Sequence, residues 1–325
     1  MIQRPRRLRQ NQNIRRMMQE TRLTVDNLIM PLFLCDGEGQ KQAIASMPGQ
    51  YRYSLDLLME QIDLVVELGI PCVSLFPACA DETKDRLASE SSNPNHFYQK
   101  GIQAIKQKYP ELLVMTDVAM DPYSSDGHDG IVDTETGEIL NDETLEVLGK
   151  MALTQAQSGS DIIGPSDMMD GRVGYIRDLL DENGFQKTMI MSYTAKYASG
   201  FYGPFRDALE SAPKSGDKKT YQMDFANARE ALKEAELDYQ EGADILMVKP
   251  GIAYLDIIYQ LHHEYEVPIS AYQVSGEYAM IKAAAQNGWI DEKSVVLESL
   301  MAFRRAGASM ILTYFAMDVA KELKS

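Results

Sequence analysis

Eight short apolar, β-rich runs recur along the chain with helical stretches between them. This alternation constrains the fold more than any other feature. The runs occupy residues 27–34 (NLIMPLFL), 72–77 (CVSLFP), 112–118 (LLVMTDV), 161–167 (DIIGPSD), 188–193 (TMIMSY), 243–251 (ADILMVKPG), 268–276 (PISAYQVSG) and 308–315 (ASMILTYF). Their hydrophobicity is nearly continuous, which marks strands covered on both faces, as in parallel sheets. Amphipathic patterns fill the gaps at 54–69, 142–159 and 224–242, the last two opening on Asp and all three closing on Gly. The pattern predicts an α/β fold, a (β/α)8 TIM barrel, over residues 27–325. A doubly wound open sheet is the rival, but it wants a Gly-rich phosphate turn after its first strand, and LCDGEGQKQ (34–42) matches poorly. Two connections are too long for simple loops. One, 119–142, contains a hairpin-like GIVDTETGEIL; the other, about 197–222, has the length and composition of a lid.

Composition narrows the function. A formal charge of −16 argues against a general nucleic-acid binder. Three cysteines without paired spacing point to a reducing, cytoplasmic setting. No apolar run is long enough to span a bilayer, and no signal-peptide pattern precedes the first strand. Residues 1–26 form a separate Arg-rich segment, read as an extended arm that docks on an acidic body, its own or a neighbour's.

In a barrel of this type, chemistry sits where the strands end. The third run ends at Asp117, and the fourth runs through Ser166 and Asp167. The fifth leads to Lys196, the sixth to Lys249, the seventh to Tyr272, Gln273 and Ser275, and the eighth to Thr313 and Tyr314. Two lysines after adjacent strands would lie about 5 Å apart. Burial and a neighbouring cation both lower an amine's pKa, which favours Schiff-base chemistry on a carbonyl. The plain alternative is a lysine that salt-bridges Asp117. On the lid, Arg206, Lys218, Lys219 and Gln222 could clamp a carboxylate, and Ser275 and Tyr314 could hold another. The stretch DVAMDPYSSDGHDG (117–130) offers hard oxygen ligands suited to Mg²⁺, though its composition also fits any turn-rich loop. His128 is expected to be a loop hydrogen-bonder, and His262 and His263 structural residues near a helix end.

Several stretches together resemble porphobilinogen synthase, the 5-aminolevulinate dehydratase family. They are RPRRLR near the start, GPSDMMDGR (164–172), SYTAKYASGFYGPFRDA (192–208), YQMDFANAREAL (221–232), GADILMVKPG (242–251) and PISAYQVSGEYAMI (268–281). The resemblance implies a lyase that condenses two 5-aminolevulinate molecules to porphobilinogen in tetrapyrrole synthesis, as a homo-octamer with arm exchange between subunits. It implies Schiff bases on Lys249 and Lys196, with Asp117 and Ser166 assisting proton transfers and amino-group contacts. Ser275 and Tyr314 would hold one substrate carboxylate, Arg206, Lys218 and Gln222 the other, with Tyr272 and Phe205 packing the pocket. Zinc-type members carry three cysteines where this chain has Ala119, Asp121 and Asp129, so no catalytic zinc and no organic cofactor are expected. Asp121 and Asp129 would either bind a cation or hydrogen-bond substrate amino groups. The pattern resembles the Mg²⁺-responsive group, in which an allosteric Mg²⁺ between subunits is held by a glutamate matching Glu234. The alternatives are another Schiff-base barrel lyase, such as an aldolase acting on a sugar phosphate, and a non-catalytic binding scaffold using the arm for nucleic acid. An aldolase would need a phosphate site after the last two strands, where only VSGEYAM offers a Gly-bearing turn.

Overall fold

The computed structural model describes residues 1–209, 211 and 213–324. Eight parallel strands close into a barrel: β1 (Leu28–Cys35), β2 (Cys72–Ala78), β3 (Leu113–Val118), β4 (Ile162–Pro165), β5 (Met189–Lys196), β6 (Ile245–Lys249), β7 (Ile269–Gln273) and β8 (Met310–Thr313). Closure is direct, because β8 pairs with β1 through Leu28↔Ile311 and Ile29↔Leu312. That pairing excludes the open doubly wound sheet. Strands β4, β7 and β8 are shorter than their apolar runs. Ser166 and Asp167 lie just past β4, Ser275 opens the helix after β7, and Tyr314 follows β8.

The helices α1 (Leu55–Glu67), α2 (Phe97–Lys108), α3 (Asn141–Gln157), α4 (Arg172–Glu182), α5 (Arg229–Gln240), α6 (Leu255–Glu264), α7 (Ser275–Gln286), α8 (Glu292–Ala306) and α9 (Ala316–Lys324) follow the strands. The α5 boundary corrects the sequence expectation: Asp224 does not open the helix but closes a turn by accepting from Ala226 N at 2.8 Å. The long connection after β3 contains the expected hairpin, Ile131–Val132 against Ile139–Leu140. A second hairpin, Lys41–Ala43 with Tyr51–Tyr53, extends the sheet beside β1.

Ahead of the barrel, no residue from Met1 to Arg22 is buried. The arm carries a 3-10 turn at Pro5–Arg9 and a short helix at Gln12–Met17. None of its arginines forms an ion pair among the described residues. No helix among the described residues is long and apolar enough to cross a membrane.

The helix–glycine–strand device is explicit at α8. Asp291 caps its start by accepting from Ser294 N at 2.8 Å. Gly307 ends it at φ +115° with its bare Cα against the His262 ring. His262, exposed near the end of α6, lies against this glycine. Gly307→Ala would add both left-handed strain and a clash. It should destabilise the protein by about 1–3 kcal/mol, read as a lowered denaturation midpoint; an unchanged midpoint would contradict this account of the helix end.

Candidate active site

The site is organised by the pairing of β5 with β6. Lys196 and Lys249 are register partners, last residues of adjacent strands, so their backbones are about 4.8 Å apart. Both are buried, at 5% and 6% exposure. Four rings surround the Lys249 ammonium, with centroids of Tyr193 at 5.0 Å, Tyr202 at 5.3 Å, Phe205 at 5.0 Å and Tyr272 at 4.7 Å. Lys249 has no ion pair among the described residues, so the expectation that a strand-end lysine simply salt-bridges Asp117 is not met. Burial first, then the Lys196 charge, brings its pKa down to about 7 against the pull of Asp117, Asp121 and Asp129. Lys196 is held differently: its Nζ donates to the Ser166 carbonyl and lies 3.7 Å from Asp129.

The carboxylates are also differentiated by environment. Burial raises Asp117 to about 6, opposed by the Lys249 and Lys196 charges and by the Ser166 hydroxyl. Its Oδ1 is buried without a hydrogen-bond partner among the described residues. Asp121 and Asp129 share the Lys218 ammonium, which lies 3.2 Å from each. Burial raises Asp121; for Asp129 burial is outweighed by the charges of Lys218 and Lys196, and its pKa is lowered. Lys218 is itself buried; burial lowers its pKa, but the charges of Asp121 and Asp129 outweigh that and raise it, the opposite outcome to Lys249.

The connection after β5 meets the barrel on α7. The Ser275 hydroxyl accepts from Phe205 N at 2.9 Å. A Cβ on Gly276 would collide with the Phe201 backbone, so a bare Cα admits the first turn of that connection, Gly200–Tyr202. A short helix, Gly203–Leu209, carries Phe205 and Arg206. Arg206 is half-buried, and its charge acts on the hydroxyls of Tyr202 and Tyr221. Gln222 is buried with its Oε1 unpartnered. Tyr272 and Tyr314 join hydroxyls at 2.8 Å. His128 makes the expected loop contacts, Nε2 donating to Ser215 O at 2.8 Å and Nδ1 accepting from the Tyr221 hydroxyl at 3.2 Å. Residues 210 and 212, within the stretch read as a lid, lie outside the described residues.

The structure thus gathers Lys249, Lys196, Asp117, Ser166, Tyr272, Phe205, Asp121, Asp129 and Lys218 at one end of the barrel, with Ser275 and Tyr314 beside them. Glu234 is elsewhere, on α5, lining a cavity of about 540 Å³ with Asp170, Glu230 and the lid base at Lys219–Met223. Sequence reasoning missed Tyr193 and Tyr202 as walls of the lysine pocket. Tyr193 could have been found from its place three residues before Lys196 in the fifth run; nothing local marks Tyr202.

A family model described as delta-aminolevulinic acid dehydratase matches residues 2–322. Delta-aminolevulinic acid dehydratase of Bradyrhizobium diazoefficiens is 53% identical over 99% of this chain and 91% of its own length. That of Synechococcus elongatus is 52% identical over 98% of each chain. A crystal structure of the Toxoplasma gondii ME49 enzyme in complex with the reaction product porphobilinogen superposes with TM-score 0.97 at 50% identity, covering 99% of this chain and 92% of that one. The chain belongs to the delta-aminolevulinic acid dehydratase family.

Proposed function

We propose that the protein is a porphobilinogen synthase, condensing two 5-aminolevulinate molecules to porphobilinogen with loss of two waters. The observation that carries this reading is the pairing of Lys249 with Lys196 at one level of the barrel mouth. The aldolase rival has no use for the second buried lysine, and the scaffold rival for either.

With a pKa near 7, a substantial fraction of Lys249 is neutral and able to attack a ketone. Its lone pair adds to the carbonyl carbon of one substrate. The carbinolamine then loses water to form the imine, with a proton supplied to the departing hydroxyl. Asp117, near 6, can both give and take protons at neutral pH. The rings around Lys249 exclude water, and their faces stabilise the iminium cation. Lys196 can hold the second substrate in the same way once its own proton is lost. Removal of a proton beside the Lys196 imine gives an enamine carbon that attacks the Lys249-bound imine carbon, which then expels the Lys249 amine as the attacking carbon loses a second proton. The amino group of the Lys249-side substrate adds to the carbon held by Lys196, Lys196 leaves as an amine, and loss of a ring proton completes the pyrrole. Ser275 and Tyr314 are assigned to one carboxylate, Arg206, Lys218 and Gln222 to the other. Since Ser275 already receives Phe205 N and Lys218 already bridges two aspartates, binding would exchange these contacts.

The metal reading is that of the magnesium-responsive type. Asp121 and Asp129 with Ala119 offer no soft thiolate, and an ammonium is already bound between the two carboxylates, so the residues do not fit zinc. A pair that holds one ammonium suits a substrate amino group. Glu234 fits a hard cation better: burial raises its pKa and it shares an acid-lined cavity. No group of three His, Cys, Asp or Glu among the described residues converges on one point. Mg²⁺, which keeps several waters and needs one or two carboxylates, is compatible with that. Its chemistry there would be charge neutralisation away from the lysines. We place the enzyme in the cytoplasm as a homo-octamer, with residues 1–26 as the oligomerisation arm; the exposed arginines of the arm, none of them ion-paired among the described residues, and the charge of −16 support this.

Borohydride added with 5-aminolevulinate should leave a covalent adduct on Lys249, and Lys249→Met should yield no pyrrole. Unmodified lysines together with no pyrrole from the unaltered protein would sink the assignment. The trapping rate at Lys249 should be nearly flat above pH 7 and fall about tenfold per unit well below it. Lys196→Met removes a positive charge that depresses Lys249, so the midpoint should move to higher pH. A zinc-specific chelator should leave activity intact, whereas withdrawing Mg²⁺ should lower it, and Glu234→Ala should abolish that response; loss of activity to the zinc chelator would overturn the metal reading.

A further inference from the structure

Side chains alternate faces along a strand, so residues an even number apart share a face. On β5, Ser192 and Thr194 face the helix layer, where both hydroxyls donate to Asp238 Oδ2 on α5, at 2.5 Å and 2.7 Å. Tyr193, between them, faces the barrel interior with its ring 5.0 Å from Lys249 Nζ. Strict alternation would then send Lys196, two residues past Thr194, outward to α5. Instead it reaches Ser166 and Asp129 at the barrel mouth. The ladder records the break: Leu246 pairs with Ser192 but Val248 with Ala195, so two steps on β6 match three on β5. One extra residue in β5 reverses the parity and turns Lys196 inward, level with Lys249.

Such a bulge disrupts the ladder and persists where something holds it. The Asp238 carboxylate has four donors. Its Oδ1 accepts from Arg172 Nη1 at 3.0 Å, and its Oδ2 accepts from Arg172 Nη2 at 3.3 Å as well as from the two hydroxyls. Arg172 Nη2 also donates to Ser192 Oγ at 3.1 Å, and its Nε approaches Asp167 at 3.8 Å. Asp238 and Arg172 are each 2% exposed. In a register without the extra residue, Lys196 would face α5, where a less fully engaged Asp238 would be its natural counter-ion.

We propose that Asp238, saturated by Arg172, Ser192 and Thr194, is a positioning residue that holds the β5 bulge and so decides that Lys196 enters the active site. The proposal rests on the Schiff-base reading only for one of its two measurements. In the first, borohydride trapping with 5-aminolevulinate is mapped by mass spectrometry on the assembled enzyme. Asp238→Asn, and Thr194→Val, which keeps the branched shape, should lower the Lys196 adduct at least tenfold while the Lys249 adduct, compared on the pH plateau above its own midpoint, stays within twofold. Thr194→Ser should restore it. The second measurement is reductive methylation with formaldehyde and borohydride, which requires no substrate chemistry; Lys196 should lose reactivity in both variants relative to Lys249. If the unaltered enzyme gives no substrate adduct, the functional reading fails and methylation alone judges the clamp. A folded Thr194→Val protein with unchanged Lys196 reactivity, or equal losses at both lysines, overturns the proposal.

Discussion

Two lysines at one level of adjacent strands, both buried, are the constraint on which the rest of the site depends. Their repulsion and lost hydration would drive the strands apart or expel a side chain unless the surroundings compensated unequally. The compensation is unequal. Lys196 receives a carbonyl and a nearby carboxylate, whereas Lys249 receives four aromatic faces. The asymmetry leaves one amine nucleophilic near neutrality, and a proton acceptor beside it is tuned to a similar range.

The barrel makes that inequality durable. Closure through β8 and β1 fixes strand neighbours, so the level of each residue at the mouth is set by the ladder. Past Lys249, Glu277 of α7 accepts from Ile252 N at 2.7 Å and Val274 N at 2.8 Å, tying the turn after β6 to the end of β7. Burial lifts that carboxyl to about 7, so its backbone donors have to hold it in place. The connection after β5 then completes the lysine pocket with Tyr202 and Phe205.

Much of this was legible in the sequence because it is local. Continuous apolar runs ending in polar residues gave the eight strands and pointed to Lys196, Lys249 and Asp117. The extra residue in β5 was not legible. Parity within SYTAK cannot be read without the neighbouring strand, and Asp238 lies more than forty residues from the hydroxyls it holds. The aromatic enclosure of Lys249 draws on β5, β7 and the lid, so no single stretch announces it. Asp224 misled because Asp serves a turn as readily as a helix start. Lys218 was read as a clamp for substrate; its two aspartates, Asp121 and Asp129, come from another connection.

That last contact has a wider meaning. A metal ion between two acidic side chains is drawn from solution, and its presence follows the cell's supply. The Lys218 ammonium is covalently tethered, and a short tether sets a local concentration on the order of millimolar whatever the medium contains. The positive charge is also carried by the connection after β5, whereas both carboxylates belong to the connection after β3, so neutralising Asp121 and Asp129 ties one connection to the other.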